Sequence, residues 1–345
     1  MNELLQQLSE AVGVSGAEKE VRLLLRDLIA PHVDSWSVDA MGNLLAVKKG
    51  TGADDRRVLV DAHMDEVGMM ITSFESDGTL GFRPVGGLDP RVLLGKVVQV
   101  GPQKITGVIG ARPVHLLTAE QYKRIDKIEN MRIDIGAAKM EQAENKVKLG
   151  QRATFLSHYQ EQGAVAMGKA FDDRAGCAAL VMLLQGDPFP FDLHAVFSSQ
   201  EEVGLRGAGV AAYSVNPHAA LVLECTPAYD LPHDRDESPN VALGRGPAVY
   251  VMDSRTIQDP RFVAHIMRTA EANGIPFQVR QPGGGGTNAG GIQRIHGGIP
   301  TATIATPGRH IHGPLSIINL DDFHHVVQLA DAVLRGLTAD LFNRE

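Results

Sequence analysis

Cysteine is scarce in this chain. Cys177 and Cys225 are the only two in 345 residues, and each lies inside an apolar segment. That usage fits buried free thiols in a reducing compartment and argues against a disulfide scaffold or a thiolate metal site. Long apolar runs are missing as well: nowhere do about 18 uncharged apolar residues follow one another, so no membrane-spanning helix is expected. The opening MNELLQQLSE has neither a cationic leader nor an apolar core segment, and the expectation is a cytoplasmic protein. There is no basic patch. The 33 basic residues are scattered among 41 acidic ones, for a formal charge of −8, which points away from nucleic acid and anionic membranes and toward small or peptidic partners. Internal repeats and low-complexity linkers are absent too.

What is present starts with length. A chain of 345 residues exceeds the usual size of one domain and predicts two domains, or one large domain with an insertion. Thirteen histidines are the more informative metal-binding resource, and 37 glycines, above the average of roughly 7%, cluster beside the motifs described below. Apolar positions at helical spacing predict helices over 2–12 and 17–30. Val33–Val38 and Leu44–Val47 read as a hairpin, and Val58–Ala62 as a buried strand that stops at His63, with Asp65 two residues on. Alone, a His-x-Asp at a strand end is as often a structural pair as a metal site.

From Met69 to His158 short alternating runs are punctuated by turn signals such as Glu75-Ser76-Asp77-Gly78 and Gly101-Pro102. This stretch reads as a small β-rich insertion, a barrel being one solution. Strand and helix alternate again from Gly163, so the fold class is α/β with an inserted β domain. Leu193–Ser199 and Ala219–Leu223 read as buried strands ending at Glu201-Glu202 and at Glu224. Pro300–Ala305 reads as a last strand ahead of His310 and His312. Asp259-Pro260 opens a helix that closes at Asn273-Gly274, and Asn319 caps the final one. The PGGGGTNAGG loop lacks the Lys-Ser/Thr pair of a phosphate loop.

Five clusters therefore converge on one sheet edge: His63/Asp65, Asp172-Asp173, Glu201-Glu202, Glu224 and His310/His312. Buried carboxylates without a cation would repel one another and cost several kcal/mol each to desolvate. Mixed imidazole and carboxylate ligation suits Zn²⁺ or Co²⁺, with Mn²⁺ also compatible. The carboxylates suffice for two divalent ions sharing a bridging group.

HMDEVG at 63–68, AFDDRAG at 170–176, SSQEEVGLRGA at 198–208, ECTPA at 224–228, GGTNAGG at 285–291 and PGRHIHGP at 307–314 resemble the signature blocks of the glutamyl and deblocking aminopeptidases, dinuclear metallopeptidases assembled as tetrahedral particles. The resemblance covers nearly the whole chain in block order. It implies a central mixed sheet flanked by helices, a zinc-peptidase-like catalytic domain over 1–68 and 160–345, and an inserted β-barrel dimerisation domain over 69–159, with dimers building a dodecamer. It makes Asp172 the bridging carboxylate, with His63 and Glu224 completing one metal and Glu202 and His312 the other. Asp65 would orient His63, and Glu201 would be the general base. A cis peptide is implied at Asp172-Asp173. Two departures stand out: Glu224 where the family usually has aspartate, and Asn288 where it usually has Asp.

The implied activity is removal of amino-terminal residues from peptides. Two other readings compete: metal-independent glycoside hydrolysis by paired carboxylates, and a catalytically weakened assembly protein, suggested only by Glu224 and Asn288. Several residues have plainer readings. His115 is structural or at an interface; Asp173, Arg174 and Arg206 are as readily structural ion pairs as substrate contacts. His310 stays an alternative ligand to His312. His194, His296, His324 and His325 read as surface or core histidines, Cys225 as a small core residue, and Asp230, His233 and Asp234 as loop. Preference for an acidic first residue would need a cation in the pocket, and Arg255 and Arg309 are both candidates.

Overall fold

The computed structural model describes residues 2–52, 56–110, 112–231, 241–281, 284–338 and 341–342; His233 and Asp234 lie outside the described residues. At its centre four strands run parallel in the spatial order Asp192–Ser198, Arg57–His63, Ala219–Pro227 and Thr301–Arg309. Leu44–Lys48 and Ser35–Val38 extend one side antiparallel. Ser316–Asn319, Val165–Gly168 and Gln160–Gln162 extend the other. Ala248–Tyr250 also pairs with Thr301–Arg309 and carries Gln278–Arg280 beside it. The sheet is mixed, as the resemblance implied.

Strand periodicity sorts the central residues onto two faces. Val58, Val60, Ala62, Ala195, Phe197, Leu221 and Leu223 join the larger core, formed with the helices Asn2–Glu10, Lys19–Ile29, Phe171–Gln185, Pro260–Ala272 and Leu320–Arg335. Leu59, Val196, Ala220 and Val222 meet the short helices Arg206–Val215 and Ala289–Ile292 instead. By the same alternation Asp61, His63, Ser198 and Glu224 share that second face. Register brings them level, because Ser198 pairs with His63 and Val222 with Asp61.

Between Gly68 and Phe155 the chain closes a separate antiparallel barrel from Gly68–Phe74, Leu80–Val85, Arg132–Asp134, Ile105–Gly110, Val97–Val100 and Arg152–Phe155. It has its own core, including Met69, Phe82, Val98, Ile133 and Phe155. The expected β-rich segment also contains a helix, Met140–Lys146, whose Ala143 is buried in that core. His115 sits in a one-turn element between the exposed Val114 and Leu116.

The ends of the sequence-predicted elements shift in informative ways. Asp259 caps Pro260–Ala272 and Asn319 caps the last helix, as expected. Ala219–Pro227 and Thr301–Arg309 run beyond their expected ends, however. The expectation stopped them where polar residues or proline began, but the ladder continues through Glu224↔Ala305 to Pro227↔Gly308. Glu224 is thus held inside a strand rather than at its end.

Glu66 joins the barrel to the sheet. Its carboxylate accepts from Gly13 N at 2.9 Å, from Thr154 Oγ1 of a barrel strand at 2.9 Å, and from Lys169 Nζ at 2.8 and 3.0 Å. Arg174 NH2 stands 3.6 Å away. All these charged groups are buried. Removing one partner of a buried ion pair leaves an uncompensated charge, so Glu66→Gln should lower unfolding free energy by about 3–5 kcal/mol. Chemical denaturation of the two proteins measures this, and equal midpoints would contradict it.

Candidate metal centre and substrate pocket

His63 ends its strand with its ring between two sets of acids. Nε2 lies 3.0 Å from Asp172 Oδ1 and 3.4 Å from Glu224 Oε1. Nδ1 lies 3.2 Å from the Asp65 carbonyl oxygen and 3.5 Å from Asp65 Oδ1. Asp65 is completely buried and accepts from Glu201 N at 2.9 Å, Glu202 N at 3.2 Å and Ser15 Oγ at 2.5 Å. One carboxylate therefore holds both the His63 ring and the turn bearing Glu201 and Glu202.

Asp172 offers its second oxygen to His312, whose Nε2 is 3.2 Å from Asp172 Oδ2 and 3.3 Å from Glu202 Oε2. The Asp172-Asp173 peptide is cis. His310, the alternative, is exposed, and its recorded contact is a backbone one from Ser316 Oγ. His63, Asp172, Glu201, Glu202, Glu224 and His312 all line one cavity of about 340 Å³. Asp65 lies behind it.

Electrostatics within the cluster are strained in a consistent direction. Burial pushes Glu202 up to about 8 and Glu224 up to about 7, and pushes Glu201 and Asp173 well above the usual carboxylate range. For Asp172 burial acts the same way, but hydrogen bonds from His312 and His63 outweigh it and hold the carboxyl below its ordinary value. Burial would lower both imidazoles. The facing carboxylates reverse that, raising His312 to about 9 and His63 well above its usual value. Burial and crowding of like charge thus favour the protonated form of most acids in the cluster.

A cation fits this donor set. His63, Asp172 and Glu202 place ligand atoms within 4.8 Å of one another, as do His63, Asp173 and Glu224. Glu202 Oε1 and Asp173 Oδ2 are buried without a hydrogen-bond partner among the described residues. Asp173, for which an ion pair and a substrate contact were equally open, makes no ion pair among the described residues. It faces the cluster, with Oδ1 accepting from Gly176 N at 2.9 Å. Its adjacency to Asp172 in AFDDRAG was the signal. Arg174 does take the structural role, donating to Met64 O, Leu8 O and Ala11 O.

The rest of the cavity is lined from Tyr250, Asp253–Arg255, Arg280 and the glycine-rich 284–287 segment, among others. Of the two cations left open, Arg309 is bound to Asp230 at 2.6 and 2.8 Å. Arg255 is exposed, lines the cavity, and has no side-chain acceptor among the described residues. A Cβ on Gly286 or Gly290 would meet the Arg255 side chain at 2.4 or 2.6 Å, so the glycines leave it room. Two further residues, Asp61 and Asn288, were not foreseen as partners. Asn288 Nδ2 donates to Asp61 Oδ2 at 2.7 Å and to Ser198 Oγ at 2.8 Å. An aspartate inside an otherwise apolar strand was the available signal.

Comparison with known proteins agrees with this architecture. The family model described as M42 glutamyl aminopeptidase matches residues 42–329. A putative aminopeptidase of Acetivibrio thermocellus is 36% identical, covering 95% of this chain and 97% of its own. The lysyl aminopeptidase of Pyrococcus furiosus is 30% identical (97% of each chain) and the glutamyl aminopeptidase of Lactococcus lactis 31% (97% and 96%). Among solved structures, a TET aminopeptidase from a marine sediment Thaumarchaeota archaeon superposes with a TM-score of 0.94 at 35% identity, over 99% of this chain and 97% of the other. The Pyrococcus horikoshii TET1 peptidase, which can assemble into a tetrahedron or a large octahedral shell, gives 0.87 at 33%, over 97% and 99%. A Thermotoga maritima protein described as an endoglucanase gives 0.80 at 37%, over 96% of each. The fold and this cluster define a hydrolase of the aminopeptidase class. The chain belongs to the M42 glutamyl aminopeptidase family and is a peptide hydrolase.

The raised pKa values carry a pH consequence. Glu202 and Glu224 bind protons more tightly in the folded chain than at their ordinary 4.5, so without metal their contribution falls as pH rises from about 4.5 to about 8. His312, raised from 6.5 to about 9, adds stability present below 6.5 and lost through about 9. The chelated protein should therefore melt at progressively lower temperature from about pH 5 to about pH 9, and added divalent metal should raise melting most at the alkaline end, where ligands are deprotonated. A melting temperature that climbs with pH in chelator would contradict this.

Proposed function

We propose that the protein is a two-metal aminopeptidase, with Asp172 shared between two divalent ions, His63 and Glu224 completing one set of ligands, and Glu202 and His312 the other. The observation that carries this reading is the convergence of two histidines and four carboxylates on one cavity, with Asp172 reaching one histidine through each oxygen. Zn²⁺ or Co²⁺ suits the donors, and Mn²⁺ is compatible. When bound, such ions supply Lewis acidity toward the scissile carbonyl and the attacking water.

Glu201 is the general base. It lines the cavity, whereas Asp65 fixes its backbone from behind. Burial keeps its carboxyl basic, so it takes the proton of the attacking water and passes it to the leaving amine. Asp65 sets the His63 ring and the Glu201-Glu202 turn together and touches no substrate.

A glycosidase needs only paired carboxylates. Here each histidine lies within hydrogen-bonding reach of Asp172, which favours the metal-dependent peptidase over the endoglucanase label borne by the Thermotoga maritima relative. The barrel between Gly68 and Phe155 is proposed as an inserted dimerisation domain, within the span 69–159, between catalytic segments 1–68 and 160–345. The tetrahedral and octahedral assemblies of a relative support a homo-oligomer built from such dimers, a dodecamer being the expected form.

Of Arg255 and Arg309, it is Arg255 that has no side-chain acceptor among the described residues and can meet a substrate carboxylate, so an acidic first residue is the favoured substrate. A charge-assisted hydrogen bond contributes about 1.5–3 kcal/mol, so Arg255→Glu should lower kcat/KM for glutamyl substrates about tenfold or more and improve lysyl ones relative to them. An unchanged ratio between the two would remove Arg255 from specificity. For the chemistry itself, Glu201→Gln should bind the parent's complement of metal while losing about 10²-fold or more in kcat, and chelation should silence the parent until Zn²⁺ or Co²⁺ is restored. Parent-like turnover in the variant would assign the base elsewhere.

A further inference from the structure

We propose that Asp61 and Asn288 are a matched pair of positioning residues: their hydrogen bond fixes the glycine-rich 284–287 segment to the strand carrying His63 and so shapes the substrate pocket. The family resemblance alone treats Asn288 as a lost charge. The structure places an acid on the other side of the same contact. Asn288 Nδ2 reaches Asp61 Oδ2 at 2.7 Å and Ser198 Oγ at 2.8 Å, and all three residues are buried.

The placement follows from strand periodicity. Asp61 and His63 are two residues apart and point to the same face. Ser198 pairs directly with His63 in the neighbouring strand. One amide thus bridges the strands Arg57–His63 and Asp192–Ser198 near their carboxyl ends. Immediately before it, Gly284, Gly285, Gly286 and Thr287 line the cavity. That segment is tied on its far side by Ser254 N donating to Gly285 O at 2.9 Å and by Thr287 Oγ1 bonded to Asp253 Oδ2 at 3.3 Å. Asn288 ties its near side. An aspartate at 288 would set two carboxylates against each other, whereas an amide donates. The residue at 288 is therefore dictated by the residue at 61.

This inference rests on the cavity being the substrate site proposed above. Four proteins test it: the parent, Asn288→Asp, the swapped Asp61→Asn/Asn288→Asp, and Asn288→Ser, whose hydroxyl is too short to span the contact. Metal content, melting temperature and the separate KM and kcat for an aminoacyl substrate are measured for each. Metal content should match the parent throughout. Asn288→Asp and Asn288→Ser should raise KM about tenfold with kcat within about threefold, and the swap, which restores one acid and one amide, should return KM to within about threefold of the parent. If Asn288→Asp does not fold, Asn288→Ser and the swap carry the comparison.

Unchanged KM in the folded variants, even with lowered melting temperature, would reduce the pair to ordinary core packing and overturn the proposal. So would a swapped variant as impaired as the singles. The two-metal reading fails separately, if the parent's activity survives chelation, and that result leaves the KM comparison intact.

Discussion

Everything at the centre of this molecule depends on one electrostatic constraint, which is that acids crowded out of water repel each other. Asp172, Glu201, Glu202 and Glu224 share a cavity with His63 and His312. Desolvating a single carboxylate costs several kcal/mol, and neighbours of like sign add to it. The folded chain answers in two ways. The facing carboxylates raise both imidazoles so that they counter the acids, and burial raises Glu202 and Glu224 above the usual carboxylate range. Neither arrangement helps bind a peptide. Both make sense as the poised state of a centre that exchanges protons for cations.

The surrounding fold serves that exchange by fixing directions. Parallel strands buried on both faces deliver Asp61, His63, Ser198 and Glu224 to one side at matching height, because register and alternation leave no freedom in which side chain points where. Asp65 then settles three orientations at once: the His63 ring and the backbones of Glu201 and Glu202. The amides of these adjacent glutamates are both held, and both residues line the cavity.

Much of this was legible from residue order. Strands that are buried on both faces read as apolar runs, so the first chemical group beyond each run marks the sheet edge, which is how His63 and Glu201-Glu202 are legible in the sequence. The inserted barrel was readable from turn signals and alternation. Glu224 lines the cavity but sits inside its strand rather than at the expected end, because pairing with Ala305, far away in sequence, extends the ladder. Asp173 and the Asp61–Asn288 contact were harder. Asp173 turns toward the cluster only because of the backbone path at 172–173, and Asp61 finds its amide 227 positions on. Choosing Arg255 over Arg309 was likewise out of reach, because the choice depends on Asp230 occupying Arg309.

The Glu66 contact has an architectural meaning beyond its contribution to stability. One carboxylate side chain is shared by the N-terminal loop at Gly13, by Thr154 at the barrel's returning strand, and by Lys169 and Arg174 on either side of Asp172. The insertion is therefore not a cargo hung from a linker. Its root is keyed into the same buried charge that frames Asp172. The barrel's seat is thereby tied to the segment that carries Asp172, so a shift at Thr154 is transmitted through Glu66 to Lys169 and Arg174.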